Sequence, residues 1–213
     1  HFPLTDESLN NTIKLEQQSL FEIKTAITNF PNDIAGLILE PIQAEGGDNH
    51  FRKEYLQALR QICDENEIML IFDEVQTGIC LTGKFWAHQN FDVQPDIIAF
   101  GKKTQVCGCL AGPRVDEIER NVFVEPSRIN STFGGNMSDI LRFKLILEII
   151  EQDNLAQNAN EVGTYLLHKL RVLEQNYEGI ISNTRGLGLM CAFDLPTKEK
   201  RDAFIGKARE NGL

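Results

Sequence analysis

The sequence has no apolar run approaching the ~20 residues that cross a bilayer, which excludes a membrane-spanning helix. Positive charge is also scarce. The 21 Lys and Arg are outnumbered by 31 Asp and Glu, giving a net charge of −10. The acids are spread along the chain, so there is no basic footprint for nucleic acid or an anionic membrane. Cysteine is present only as an odd set of five, Cys63, Cys80, Cys107, Cys109 and Cys191. Their spacing fits neither a disulfide framework nor a zinc site, and Cys107-x-Cys109 is not a C-x-x-C motif. His50, His88 and His168 add no ligand pattern, so no metal site is expected. The cysteines read as reduced, mostly buried thiols, which points to the cytoplasm. Internal repeats and low-complexity segments are absent. There is no signal peptide and no initiating methionine. The chain ends at Asn211-Gly212-Leu213, where a helix has stopped at glycine and a strand is due, so further sequence is expected on both sides.

What is present is a 213-residue chain that is 42% hydrophobic, enough to form the core of one large domain or two unequal ones. Two short apolar runs dominate it, Ile68 to Phe72 and Ile97 to Phe100. Each is too short for a typical helix and is rich in β-branched or aromatic residues, as buried strands of an α/β sheet are. The first delivers Asp73, Glu74 and Gln76 at its carboxyl end, and the second delivers Lys102 and Lys103. Ligands of open α/β sheets bind outside the carboxyl ends of the strands. Parallel pairing would therefore bring an acid and a lysine to one site. That pair suits pyridoxal phosphate, which needs a lysine for a Schiff base and a carboxylate to keep its pyridine nitrogen protonated. Spacing alone leaves a second reading open, in which Asp73-Glu74 caps the next element and the lysines are solvated.

The residues Asp73-Glu74-Val75-Gln76-Thr77-Gly78 and Asp96-Ile97-Ile98-Ala99-Phe100-Gly101-Lys102 resemble the class III (omega) aminotransferases. That family carries D-E-V-Q-T-G after an apolar strand, then D-I-x-x-x-x-K. The resemblance makes Lys102, not Lys103, the Schiff-base lysine and Asp73 the partner of the pyridine nitrogen. It also implies that Gln76 meets the ring hydroxyl oxygen and that Val75 packs on a ring face. Cys80-Leu81-Thr82-Gly83 and Thr104-Gln105-Val106-Cys107-Gly108 depart from most of the class. They are similar to the lysine 6-aminotransferase branch, with its F-G-K-K-T-Q-V-C-G run.

Two further stretches bear on the site. Glu40-Pro41-Ile42-Gln43-Ala44-Glu45 follows the strand expected over residues 34–39. By itself Glu45 fits a solvated loop acid better than a functional one. The family's E-P-I-Q-x-E pattern implies instead that Glu45 serves dual substrate recognition, through an arginine beyond residue 213. Ser131-Thr132 lie in Asn130-Ser131-Thr132-Phe133-Gly134-Gly135-Asn136, which reads either as a turn with a helix cap or as a phosphate cradle. The resemblance implies that Thr132 reaches the cofactor phosphate of a neighbouring subunit in a homodimer with shared sites. Gly78 to Lys84 formally matches G-x-x-x-x-G-K. However, Phe85 replaces the magnesium-binding hydroxyl and no clear helix follows, so an ATPase is the weaker alternative.

For the rest of the chain, periodicity predicts a polar loop over 1–10, helices over 12–30 and 50–65, and a short strand over 122–124. A helix over 138–151, apolar almost all round, should be buried. An amphipathic helix over 155–177, strands over 179–183 and 186–195, and a last helix over 197–211 complete the pattern. The expected architecture is a partial fold-type I α/β major domain, residues 1–153. The start of a small α+β domain follows, residues 154–213. The resemblance implies transfer of the terminal amine of L-lysine to 2-oxoglutarate. Ornithine and 4-aminobutyrate remain as other donors. It also implies that the family's amino-terminal phosphate loop lies outside these residues, which alone would turn over little.

Overall fold

The computed structural model describes residues 6–129, 131–132 and 134–213. Helix α1 (Asp6–Asn29) leads to β1 (Gly36–Leu39) and to the short strands β2 (Ile42–Gln43) and β3 (Asn49–His50). Helix α2 (Lys53–Glu65), β4 (Met69–Asp73), β5 (Ile97–Phe100) and β6 (Gly108–Ala111) follow. Then come α3 (Pro113–Asp116), α4 (Met137–Gln152), α5 (Leu155–Asn176), β7 (Ser182–Leu187), β8 (Met190–Asp194) and α6 (Lys198–Glu210).

The main sheet has the order β1-β4-β5-β6. Strands β1, β4 and β5 run parallel, and β6 closes the edge antiparallel. Parallel strands must be covered by apolar layers, and α2 supplies one. It buries Tyr55, Leu56, Leu59, Ile62 and Cys63, and Leu70 and Phe72 of β4 lie fully buried in the same cluster. Leu20, Ile23 and Ile27 of α1 pack against this core from outside. Burial pushes the Cys63 thiol up to about 11.

Asp96 fixes the start of β5. Its Oδ2 accepts the Leu70 N–H at 2.7 Å, Arg60 Nη1 at 2.9 Å and Arg114 Nη1 at 3.2 Å. A buried carboxylate is tolerable only with such partners, and here they tie β4, α2 and α3 to one atom. Helix α5 packs on the antiparallel β7–β8 hairpin. The approach is so close that a Cβ on Gly163 would stand 2.0 Å from the Gly188 carbonyl oxygen.

The α/β class and the parallel pairing are as the sequence suggests, while several local expectations are corrected. The loop expected over 1–10 gives way to α1 from Asp6, since nothing from there to Thr12 breaks a helix; residues 1–5 lie outside the described ones. Residues 122–124 form a turn, not a strand. Asn121 Oδ1 accepts the Phe123 N–H at 2.9 Å, and the Val124 N–H returns to the Asn121 carbonyl. The expected division of 179–195 near 184 moves to a turn at Gly188-Leu189. Helix α4 forms, yet it has no buried side chain among the described residues. Its cover comes from α5 on one side and from Phe100, which stacks on Phe143 at 5.7 Å, leaving Ile140, Leu141, Leu145 and Ile149 exposed. The cysteines are not mostly buried. All five are free, but only Cys63 and Cys80 are buried; Cys109 is exposed on the edge strand β6, Cys107 is exposed just before it, and Cys191 is half-buried.

Candidate active site

The parallel run of β1, β4 and β5 brings three carboxyl ends to one edge, with Glu40, Asp73 to Gln76, and Lys102. The chain turns sharply after β4. Asp73 Oδ1 accepts the Val75 N–H at 3.0 Å, and the Glu74 N–H donates to the Ala99 carbonyl on β5. The turn closes with Gly78 N–H on the Glu74 carbonyl. A Cβ at Gly78 would press to 2.8 Å from the Trp86 ring, so the indole packs only against glycine.

The two adjacent acids have separate roles. Asp73 is half-buried at the open edge. Glu74 is 1% exposed and caps the 3-10 turn Ala87–Asn90, Oε2 accepting the Ala87 N–H at 2.6 Å and Oε1 the His88 N–H at 2.9 Å. Burial pushes its carboxyl up to about 7, against those two N–H donors and the Lys103 charge. No α-helix follows Lys84; only the 3-10 turn does, so residues 78–84 do not form a nucleotide phosphate loop.

Lys102 has φ of +52°, a left-handed conformation that disfavours any residue bearing a Cβ. Its amine is exposed and donates to the Gln76 side-chain carbonyl. The Lys103 amine, half-buried below, donates to the Gln76 main-chain carbonyl at 2.6 Å. Burial, then the neighbouring Lys102 charge, lowers Lys103 from the ordinary lysine range. Val75 stands beside Gly101, its Cγ1 3.7 Å from where a Cβ there would lie.

Glu45 is exposed near the tip of the β2–β3 hairpin. It shares a cleft of about 370 Å3 with Asp48, Gln76, Leu189, Met190 and Cys191. Glu40 reaches this edge from the end of β1, as its place in the sequence suggests, and the β7–β8 turn is the contributor that escapes sequence reasoning. Glu40 props the hairpin, its carboxylate accepting the Ala44 N–H at 3.1 Å. The β7–β8 turn forms the far wall, and its only sequence signal is the Gly186-Leu187-Gly188 spacing. Ser131 and Thr132 are not brought into this group. Both are exposed in the turn before α4, where bonding is local, as in Gly134 N–H to the Ser131 carbonyl. Asn130 and Phe133 of that stretch lie outside the described residues. Among the described residues no cluster of His, Cys, Asp and Glu could hold a metal, and no helix is long and apolar enough to cross a membrane.

The family model described as aminotransferase class-III matches residues 1–213. The L-lysine-epsilon aminotransferase of Mycobacterium tuberculosis is 53% identical over 191 residues, 90% of this chain and 42% of that protein. The enzyme of the same name from Amycolatopsis lactamdurans is 45% identical over 203 residues, 95% of this chain and 45% of the relative. A solved lysine aminotransferase from M. tuberculosis superposes with a TM-score of 0.92 at 48% identity, covering 99% of this chain and 48% of that one. The chain thus spans a little under half the length of the relatives it matches. On the family model and these identities, the chain belongs to the class-III aminotransferases.

Proposed function

We propose that the protein transfers the terminal amino group of L-lysine to 2-oxoglutarate, giving 2-aminoadipate 6-semialdehyde and glutamate, with pyridoxal phosphate as cofactor. The observation that carries this reading is the meeting of the Lys102 amine with Gln76 at the carboxyl edge of β4 and β5, where Asp73 ends the same strand. The donor set fits the cofactor: an exposed amine, a carboxylate held by one N–H, and an amide side chain that meets the amine.

When bound, pyridoxal phosphate supplies an electron sink for the carbon that loses its proton. Lys102 holds the cofactor and then moves that proton as general base and acid. Asp73 keeps the ring nitrogen protonated. Gln76 meets the ring hydroxyl oxygen and Val75 packs on the ring face. Glu45 serves substrate recognition from its cleft. Ser131 and Thr132, which lie away from this chain's own edge, would serve the cofactor phosphate of the neighbouring subunit. This reading takes residues 1–153 as the cofactor-binding domain, residues 154–213 as the start of a smaller one, and the enzyme as a cytoplasmic homodimer. The free thiols support the location.

The nearest rival donor is 4-aminobutyrate, favoured by a 4-aminobutyrate aminotransferase of Emericella nidulans, 38% identical over 216 residues. The test incubates the full-length gene product with pyridoxal phosphate and 2-oxoglutarate, and offers lysine, ornithine and 4-aminobutyrate separately. Glutamate formed mainly from lysine is the expected result. Glutamate mainly from another amine discards the donor, and none from any amine discards the activity.

A further inference from the structure

We propose that Arg185, from the β7–β8 hairpin, is a positioning residue that holds the loop bearing Glu45 and so sets the substrate side of the cleft. The proposal rests on the reading of Glu45 given above.

The β2–β3 hairpin is too small to hold its own tip. It has only two residue pairs, Ile42 with His50 and Gln43 with Asn49, and a short hairpin alone is marginal in water. Between those pairs, Gly47 has φ of +121°, which glycine adopts freely, and Asp48 has φ of +50°, a conformation that costs a residue with a Cβ free energy and needs support. Inside the loop, the Gly47 and Asp48 N–H groups both donate to the Ala44 carbonyl, and Asn49 Nδ2 reaches Gln43 Oε1 and the Gly46 carbonyl. The carbonyls of Gly47 and Asp48 are taken by Arg185, which lies 137 residues away from Asp48 in sequence.

The guanidinium is well matched to this task. Nε donates to the Asp48 carbonyl at 2.6 Å and Nη2 to the Gly47 carbonyl at 2.9 Å. Nη1 donates to the Asn183 carbonyl and to Asp194 Oδ1, each at 2.9 Å. One donor on Nε, two on Nη1 and one on Nη2 place four of the five guanidinium N–H groups. The side chain is 11% exposed. Asp194 is itself steadied by Asn183 Nδ2 at 2.7 Å. A planar fork holds two successive carbonyls in a fixed geometry while a third nitrogen bonds elsewhere, whereas an ammonium is a single compact point charge without that geometry.

The cleft beside Gln76 shows what the grip does. One wall carries Glu45 and Asp48, and the other is the β7–β8 turn with Leu189 and Met190. Arg185 joins the two walls. Loosening it leaves the Lys102 edge intact and lets the Glu45 carboxylate wander, so it should disturb substrate capture more than proton transfer. Misplacement of a recognition group by about 1 Å is enough to matter.

The test uses Arg185→Gln in the full-length holoenzyme, with amide exchange and kinetics read together. The expected result is exchange at the Gly47 and Asp48 amides faster by about tenfold, with strands β4 and β5 unchanged. KM for 2-oxoglutarate should rise by about tenfold while kcat moves less than about threefold. Unchanged exchange in the loop overturns the grip, and faster exchange with unchanged KM overturns the positioning role. Where Arg185→Gln loosens the whole protein, Arg185→Lys decides by the same readouts, since it keeps the charge near Asp194 and loses the fork. Global loosening in both variants overturns a local role. A wild-type enzyme that makes no glutamate sinks the functional reading, while the exchange result still reports on the grip.

Discussion

Lys103 Nζ donates to the main-chain carbonyl of Gln76 at 2.6 Å, while the adjacent Lys102 reaches the same residue's side-chain carbonyl. Two neighbouring lysines thus share one glutamine, and the backbone decides which faces outward. Lys102 is exposed at the edge, and Lys103 is half-buried beneath it. Lys102→Ala should abolish the visible absorption of lysine-bound cofactor and the turnover with it. Lys103→Met should keep that absorption and lower kcat by about tenfold, because Gln76 loses its anchor. Absorption spectra and steady-state rates of the two variants check this. Survival of the band in Lys102→Ala would move the assignment to Lys103.

Asp96 and Leu70 make the second prediction. The Leu70 N–H at 2.7 Å and the Arg60 and Arg114 guanidinium groups all meet at one carboxylate oxygen, and Asp64 pairs with both arginines as well. Asp96→Ala leaves the buried Leu70 N–H without its acceptor and two part-buried cations with Asp64 as their one remaining carboxylate. Urea unfolding should show a loss of about 3–5 kcal/mol, the usual result of removing one member of a buried charge cluster. A loss under about 1 kcal/mol would mean that water replaces the carboxylate.

These two cases show what could be read from the sequence. The strand pattern and the D-E-V-Q-T-G and D-I-x-x-x-x-K motifs are local, and they place Asp73, Gln76 and Lys102 at one edge because parallel strands align their ends. Spacing alone does not tell Glu74 from Asp73; the motif points to Asp73 for the ring nitrogen, and only the bonds to Ala87 and His88 reveal Glu74 as a buried cap. Helix α4 is less buried than its all-round apolar pattern predicts, because periodicity says which residues want cover, not whether these residues supply it. Strand β6 was missed since Gly108-Cys109-Leu110-Ala111 has little strand propensity and is held by pairing to β5. The far wall of the cleft and the Arg185 grip join residues more than a hundred positions apart, beyond the reach of any local pattern.

Gly163 and Gly188 support a third prediction. A Cβ at position 163 would lie 2.0 Å from a backbone oxygen that has no rotamer to escape into. Gly163→Ala gains helix propensity of about 1 kcal/mol but must push α5 off the β7–β8 turn, and overpacking of this kind costs about 1–3 kcal/mol or more. The expected outcome is a net loss of stability, with the cleft wall at Leu189 and Met190 displaced. A Gly163→Ala protein as stable as wild type, by thermal unfolding, would contradict the close approach.

The pH dependence of stability separates two buried groups of opposite sign. Burial, and then the Arg185 charge, push the His50 imidazole down to about 4. Its unfolded value is near 6.5, so its contribution is complete above that pH and is lost as pH falls towards 4, when only the unfolded chain takes up the proton. Glu74, pushed up to about 7 by burial, behaves in the opposite way. Its contribution is complete below the unfolded value near 4.5 and is lost as pH rises through 7. In wild type the two slopes oppose each other between those limits. His50→Gln removes one of them. Between pH 7 and pH 5, the wild-type stability relative to the variant should fall by about 2 kcal/mol, the linkage value for a depressed imidazole over that interval. Urea titrations of both proteins at the two pH values measure it. Equal pH slopes would mean that His50 titrates alike in the folded and unfolded chains.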